Sequence, residues 1–133
     1  ERLTAAPGTK SYSSFTVLCA SCFAVEGRGD LAAGCFWPAP GVVSSVVELR
    51  PLPGSPSGTD LVALSRVARA LFAARRKTLR NNAMAAFGAP GVAALESLGI
   101  DPAARAEELE PVRFAAIARA LAGADGVRGS SAT

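Results

Sequence analysis

The side chains able to do chemistry in this chain are mostly basic, and they are concentrated. The stretch 72–82, FAARRKTLRNN, holds Arg75, Arg76, Lys77 and Arg80, and Arg66 and Arg69 precede it. No acid answers them between Leu61 and Leu95; acids return with Glu96 and then with Asp101, Glu107, Glu108 and Glu110. Like charges at i and i+4 weaken a helix, so a purely solvated face normally mixes its signs. An uncompensated cluster calls for an outside anion: nucleic acid, anionic lipid or an acidic protein patch. Arginine predominates over lysine here, which suits bidentate contact with phosphate. A nucleic-acid backbone is therefore the favoured partner over solvent alone, and the pattern does not say which nucleic acid.

The remaining candidates are fewer. Phe36 and Trp37 stand in CFWPAP, where two prolines restrain the backbone. Such a pair either plugs a core or offers a platform on which a base stacks. Cys19 and Cys22 form a C-x-x-C, but with Cys35 they make an odd set, and no histidine occurs. No fourth ligand closes a tetrahedral zinc site, so no metal is expected and two small buried residues one helical turn apart is the better reading. Free thiols point to a reducing, cytoplasmic setting. No apolar run approaches the roughly 18–20 residues of a membrane span. SSFTVLCASCFAV has no clustered basic flank and is not read as a signal peptide.

The elements that must position these residues fall into two parts. At 133 residues and a net charge of +3, the chain can bury one sizeable core. Residues 11–22 are ambiguous by period and read as helix over 12–21, with a strand near 22–27. FWPAP, 36–40, is a rigid extended loop. VVSSVVELR, 42–50, is rich in β-branched residues and reads as a strand. PLPGSPSG, 51–58, is the clearest linker. Beyond it Asp60 or Thr59 should cap a helix to about Arg76, and Thr78 a second one through Phe87. A short helix follows at 91–98, and Pro111 opens a last helix ending near Ala122. On a wheel over 64–80, Leu64, Val67 and Leu71 face inward, opposite Arg66, Arg69, Arg76, Lys77 and Arg80. The expected fold is an α+β fragment: a strand-bearing part at 1–50, a linker at 51–58, a helical part at 59–122 and a disordered tail at 123–133. Two strands are too few for a stable sheet. With no methionine at Glu1, the chain reads as a piece of something longer.

Four motifs, in order, carry a resemblance. ERLTAAPGTKSY, FWPAPGVVSSVVEL, RVARALFAARRKTLRN and LGIDPAARAEEL are similar to the C-terminal part of the KsgA-type small-subunit rRNA adenine dimethyltransferases, over about residues 1–122. The resemblance implies the last helix and two strands of a Rossmann-like methyltransferase sheet, then a small helical domain that helps dock on the ribosomal subunit. It implies transfer of methyl groups from S-adenosylmethionine to N6 of two adjacent adenines of small-subunit rRNA. The glycine-rich cofactor loop and the N-L-P-Y motif of that family are absent, so this chain by itself is expected to bind no cofactor and to be inactive. Phe36 matches the family aromatic that stacks on the target base. Arg75, Arg76, Lys77 and Arg80 match R-R-K-x-x-R, whose role is phosphate attraction and register.

There are departures. Ser13 and Ser14 replace a Gly-Arg, Gly41 and Val43 replace a Lys and an Asp, and Glu110 stands where a Ser commonly caps the last helix. Rival readings are a freestanding rRNA-binding or ribosome-assembly module, and an erythromycin-resistance-type methyltransferase of large-subunit rRNA. The second is disfavoured by LGIDPAARAEEL. A small helical DNA-binding or scaffold protein would leave the strand-forming part unexplained.

Overall fold

The computed structural model describes residues 2–35, 37–38, 41 and 44–131, with Arg2 and residues 124–131 described by backbone alone. The ambiguous stretch near residue 12 is a helix, α1, Ser14–Cys22. Ser13 is its extended N-cap, and the Ser13 N–H donates to Thr16 Oγ1 at 3.2 Å. The Ser pair that departs from the family motif thus starts this helix. Apolar burial settles what the period did not: Tyr12 and Val17 are both fully buried.

β1, Phe23–Leu31, and β2, Ser44–Pro51, form an antiparallel ribbon in register from Phe23↔Pro51 to Leu31↔Ser44. β1 passes its expected end at 27. EGRGD has turn-like chemistry, but a register shift between Gly27 and Gly29 absorbs Arg28, and Gly29 takes the positive φ of 110° that such a bulge needs. Arg28 donates to Glu48, and Arg50 Nε reaches Glu48 Oε1 at 3.0 Å. The hydrogen bonds from Arg50 and then Arg28 hold the Glu48 carboxyl below its usual range. By register Phe23, Val25, Val47 and Leu49 share one face, on which the first three are half-buried and Leu49 is 44% exposed.

After the linker, Gly58 at φ 56° is the N-cap of α2, Thr59–Leu71. Thr59 and Asp60 are thus inside the first turn, where Asp60 suits the helix dipole, and neither is the cap. α2 also stops at Leu71, short of Arg76. The Phe72 ring turns into the core, 5.8 Å from Tyr12 edge-on and 5.6 Å from Phe114 in a stack. α3, Leu79–Phe87, starts as expected at Thr78, whose Oγ1 accepts from the Asn81 N–H at 3.3 Å. Gly88 at φ 68° ends it, and α4, Ala89–Ser97, follows with Pro90 in its first turn. A 3-10 turn, Ala106–Glu108, leads to α5, Pro111–Ser131. Its backbone continues past Ala122, because glycines at 123, 126 and 129 are unfavourable but remove no helix hydrogen bond as proline would.

The core lies in the helical part. Leu64, Leu71, Leu79, Leu95, Phe114 and Ile117 are its fully buried bulk, interleaved with Ala68, Ala83 and Ala118. Tyr12 and Val17 belong to the same core, although they precede the 51–58 linker. The inward stripe expected for α2 is observed as Leu64, Val67, Ala68 and Leu71.

Candidate nucleic-acid interface

The basic residues occupy three successive elements instead of one helix. Arg66 and Arg69 lie on the outer face of α2, opposite its buried stripe. Arg75, Arg76 and Lys77 sit in the turn that follows Leu71, and Arg80 is in the first turn of α3. All six are exposed. Two backbone devices shape the turn: Lys77 N–H donates to Ala74 O at 3.0 Å, and the side-chain Nδ2 of Asn82 donates to Leu71 O and Ala74 O, each at 3.0 Å. The loop 101–105 then satisfies the start of α3, with Leu79 N–H on Ala104 O at 2.8 Å and Arg80 N–H on Pro102 O at 3.0 Å. The first-turn donors that would otherwise need water are thereby paired.

Among the described residues, the ion pairs join Glu26, Arg28, Glu48 and Arg50, all in the β-ribbon, and none reaches the six bases. Arg69, Arg76, Lys77 and Arg80 have no side-chain acceptor within this described set. Arg66 places its guanidinium over the Phe87 ring, 5.6 Å from the centroid, and remains exposed. Arg75 differs. Its Nη1 donates to Lys10 O at 3.0 Å, its Nη2 donates to Tyr12 O, and its Cζ lies 5.9 Å from the centre of the Phe72 ring. The expected phosphate ligand is engaged with the chain itself, because the end of α2 at Leu71 turns its side chain back toward the segment before α1.

The other expected site residues divide. Trp37 is 98% exposed and plugs no core, whereas Phe36 lies outside the described residues. Cys19 and Cys22 are half-buried in α1 and Cys35 is exposed. Burial, and then the neighbouring Cys22, push the Cys19 thiol upward, which makes it a poorer nucleophile. Among the described residues no group of three or more His, Cys, Asp or Glu side chains is arranged to hold a metal.

Sequence reasoning missed Asn82 and Tyr12. Asn82 reads as a polar interruption on the inward face of α3, next to Leu79 and Ala83, and its amide is what holds the basic turn. Tyr12 is fully buried, and its hydroxyl donates to Leu109 O at 2.6 Å. The signal for Asn82 was a polar group inside an apolar pattern, and for Tyr12 a lone aromatic among polar neighbours. Chemically, the assembled surface is five guanidinium groups and one lysine amine, with no carboxylate, thiol or imidazole among the six. It can attract a polyanion and set its register.

A model of the ribosomal RNA adenine dimethylase family matches residues 1–123. The curated relatives include ribosomal RNA small subunit methyltransferase A of Myxococcus xanthus, 43% identical over 127 residues, which cover 91% of this chain and 44% of that protein. The same-named protein of Treponema pallidum (strain Nichols) is 41% identical over 127 residues, covering 90% and 45%. The chain therefore spans a little under half the length of the curated relatives it matches. Among solved structures, a dimethyladenosine transferase from Plasmodium falciparum shares the fold at a TM-score of 0.76 and 22% identity, over 88% of this chain and 52% of that one. A 23S rRNA methyltransferase, ErmE, aligns at a TM-score of 0.59 and 19% identity, over 84% and 46%.

Proposed function

Because the chain belongs to the ribosomal RNA adenine dimethylase family, we propose that it is the C-terminal portion of a methyltransferase that dimethylates N6 of two adjacent adenines in small-subunit rRNA. α1 and the β-ribbon are then the end of a Rossmann-like domain, 1–50, and the helices of 59–122 are its docking domain. The observation that carries the reading is the run of exposed, unneutralised bases through α2, the turn and α3. Arg66, Arg69, Arg76, Lys77 and Arg80 attract the rRNA backbone and fix its register, a role that carries no base sequence of its own. The name shared by the curated relatives supports the small subunit as substrate. We place the reaction in the cytoplasm.

The methyl donor is S-adenosylmethionine, and the described residues do not fit it. A glycine-rich turn from a parallel strand into a helix would be needed; here the described strands are antiparallel, and β2 reaches α2 through the proline-rich 51–58 segment. We assign the cofactor to the part of the enzyme that this chain does not span. What this chain supplies to the chemistry is Phe36, which stacks on an adenine once it has left the helix, since N6 must be extruded to meet the methyl group.

The test is mass spectrometry of small-subunit RNA treated with S-adenosylmethionine and the longer protein that includes this chain. Dimethylation of an adjacent adenine pair supports the reading. No adenine methylation, or methylation confined to large-subunit RNA, contradicts it.

A further inference from the structure

We propose that Arg75 is a positioning residue rather than a phosphate ligand: with Tyr12 it straps the segment from Gly8 to Tyr12 onto the helical part, and so fixes where the basic turn stands relative to α1. This rests on the reading above for its link to RNA, but the strap itself stands on geometry.

Each link of the strap comes from a different element. Gly8 N–H donates to Glu107 O, at the centre of the 3-10 turn. The Tyr12 hydroxyl donates to Leu109 O at 2.6 Å, just before α5. Arg75 reaches Lys10 O at 3.0 Å, and also Tyr12 O, from the turn after α2. Phe72 is shared, lying edge-on to the Tyr12 ring and under the Arg75 guanidinium. The far end of α1 is held too, where the Cys22 carbonyl accepts from Leu52 N–H at 2.9 Å and from Ser55 Oγ at 3.0 Å. α1 is therefore fastened at both ends, and the proline-rich linker does not act as a free hinge.

A bidentate grip on phosphate through the Nη1–Nη2 end would compete with both carbonyls, one of which belongs to a fully buried residue. Its fork is the reason arginine stands here. A lysine keeps the charge but lacks the rigid pair of N–H donors that spans two carbonyls. The neighbours Arg76 and Lys77 have no such partners among the described residues and remain the phosphate contacts.

The experiment compares Arg75→Lys, Arg75→Gln, Arg76→Lys and Arg76→Gln in this chain, by binding to a small-subunit rRNA fragment across salt, amide hydrogen exchange and titration of the single tyrosine. Arg75→Lys is expected to speed exchange at residues 12–17, to move the Tyr12 titration down toward that of a free phenol, and to weaken RNA binding by a similar factor at every salt concentration. Arg76→Lys should change none of these. Arg76→Gln should lower the slope of log affinity against log salt by about 0.9 on a duplex, and Arg75→Gln by less than half of that. The proposal is overturned if Arg75→Lys matches wild type in exchange and titration, or if Arg75→Gln lowers the slope as much as Arg76→Gln. If the wild-type chain binds no RNA, the functional reading fails by itself, and exchange and titration still decide whether Arg75 holds the strap.

Discussion

The side-chain amide of Asn82 donates to the carbonyl oxygen of Leu71 at 3.0 Å, at the last residue of α2. A second bond at the same distance reaches Ala74, from a side chain only 4% exposed. One buried amide therefore closes α2 and shapes the turn that displays Arg76 and Lys77.

Asn82→Ala leaves both carbonyls without this donor. The expected loss is about 1–3 kcal/mol, the cost of an unsatisfied buried polar group, seen as a fall of several degrees in Tm. Asn82→Asp should be worse, because an ionised carboxylate would face two carbonyl oxygens. A Tm for Asn82→Asp equal to wild type would mean that this contact does not hold the turn.

Tyr12 makes stability depend on alkaline pH. Burial first, and Glu110 second, push its hydroxyl from 10.0 up to about 12. With the folded value above the unfolded one, the neutral hydroxyl's contribution is complete below pH 10 and is lost as pH rises toward about 12. The chain has one tyrosine, so tyrosinate absorbance reads this group directly. Tyr12→Phe should lower stability at neutral pH by about 1–2 kcal/mol, by orphaning Leu109 O, and should remove that alkaline loss. A tyrosinate transition near 10 in the folded chain would contradict the burial.

Gly91 is where α3 and α4 touch. A Cβ there would lie 2.8 Å from Ala83 O and 2.9 Å from Phe87 Cβ. Gly91→Ala gains about 1 kcal/mol of helix propensity, but overpacking costs about 1–3 kcal/mol. A lower Tm is expected, and because Phe87 also carries the Arg66 stack, a shift in that ring should disturb Arg66 as well. A raised Tm would mean that the helices part easily.

Much of this was legible in the sequence, for identifiable reasons. The α2 stripe of Leu64, Val67 and Leu71, the Thr78 cap and the Pro111 start follow from local rules, and the structure has them. The end of α2 was not legible, because it depends on Asn82 and on Phe72 finding Tyr12 and Phe114, contacts made between distant segments. The role of Arg75 was only partly legible: the wheel leaves it out of the outer arc of Arg66, Arg69, Arg76, Lys77 and Arg80, but only the return of residues 10–12 gives it two carbonyls. The extension of β1 through Gly27 and Gly29 required its partner strand.

Phe36→Ala, made in the longer enzyme, is expected to slow methylation much more than it weakens binding to the small subunit. Stacking on one base contributes about 1–3 kcal/mol, and this contact forms only after extrusion. Equal losses in binding and turnover would place the ring in a packing role instead.

The central claim is that the bases around the α2–α3 turn meet rRNA phosphates. It is tested most directly by a salt titration of small-subunit RNA binding for wild type and for the double variant Arg76→Gln, Arg80→Gln, with thermal melts alongside. Both side chains are exposed and outside the core, so Tm should hold. The slope of log affinity against log salt should fall by about 1.8 on a duplex site, or about 1.4 on a single strand. An unchanged slope with a lowered Tm would show that these arginines serve the fold and not the RNA.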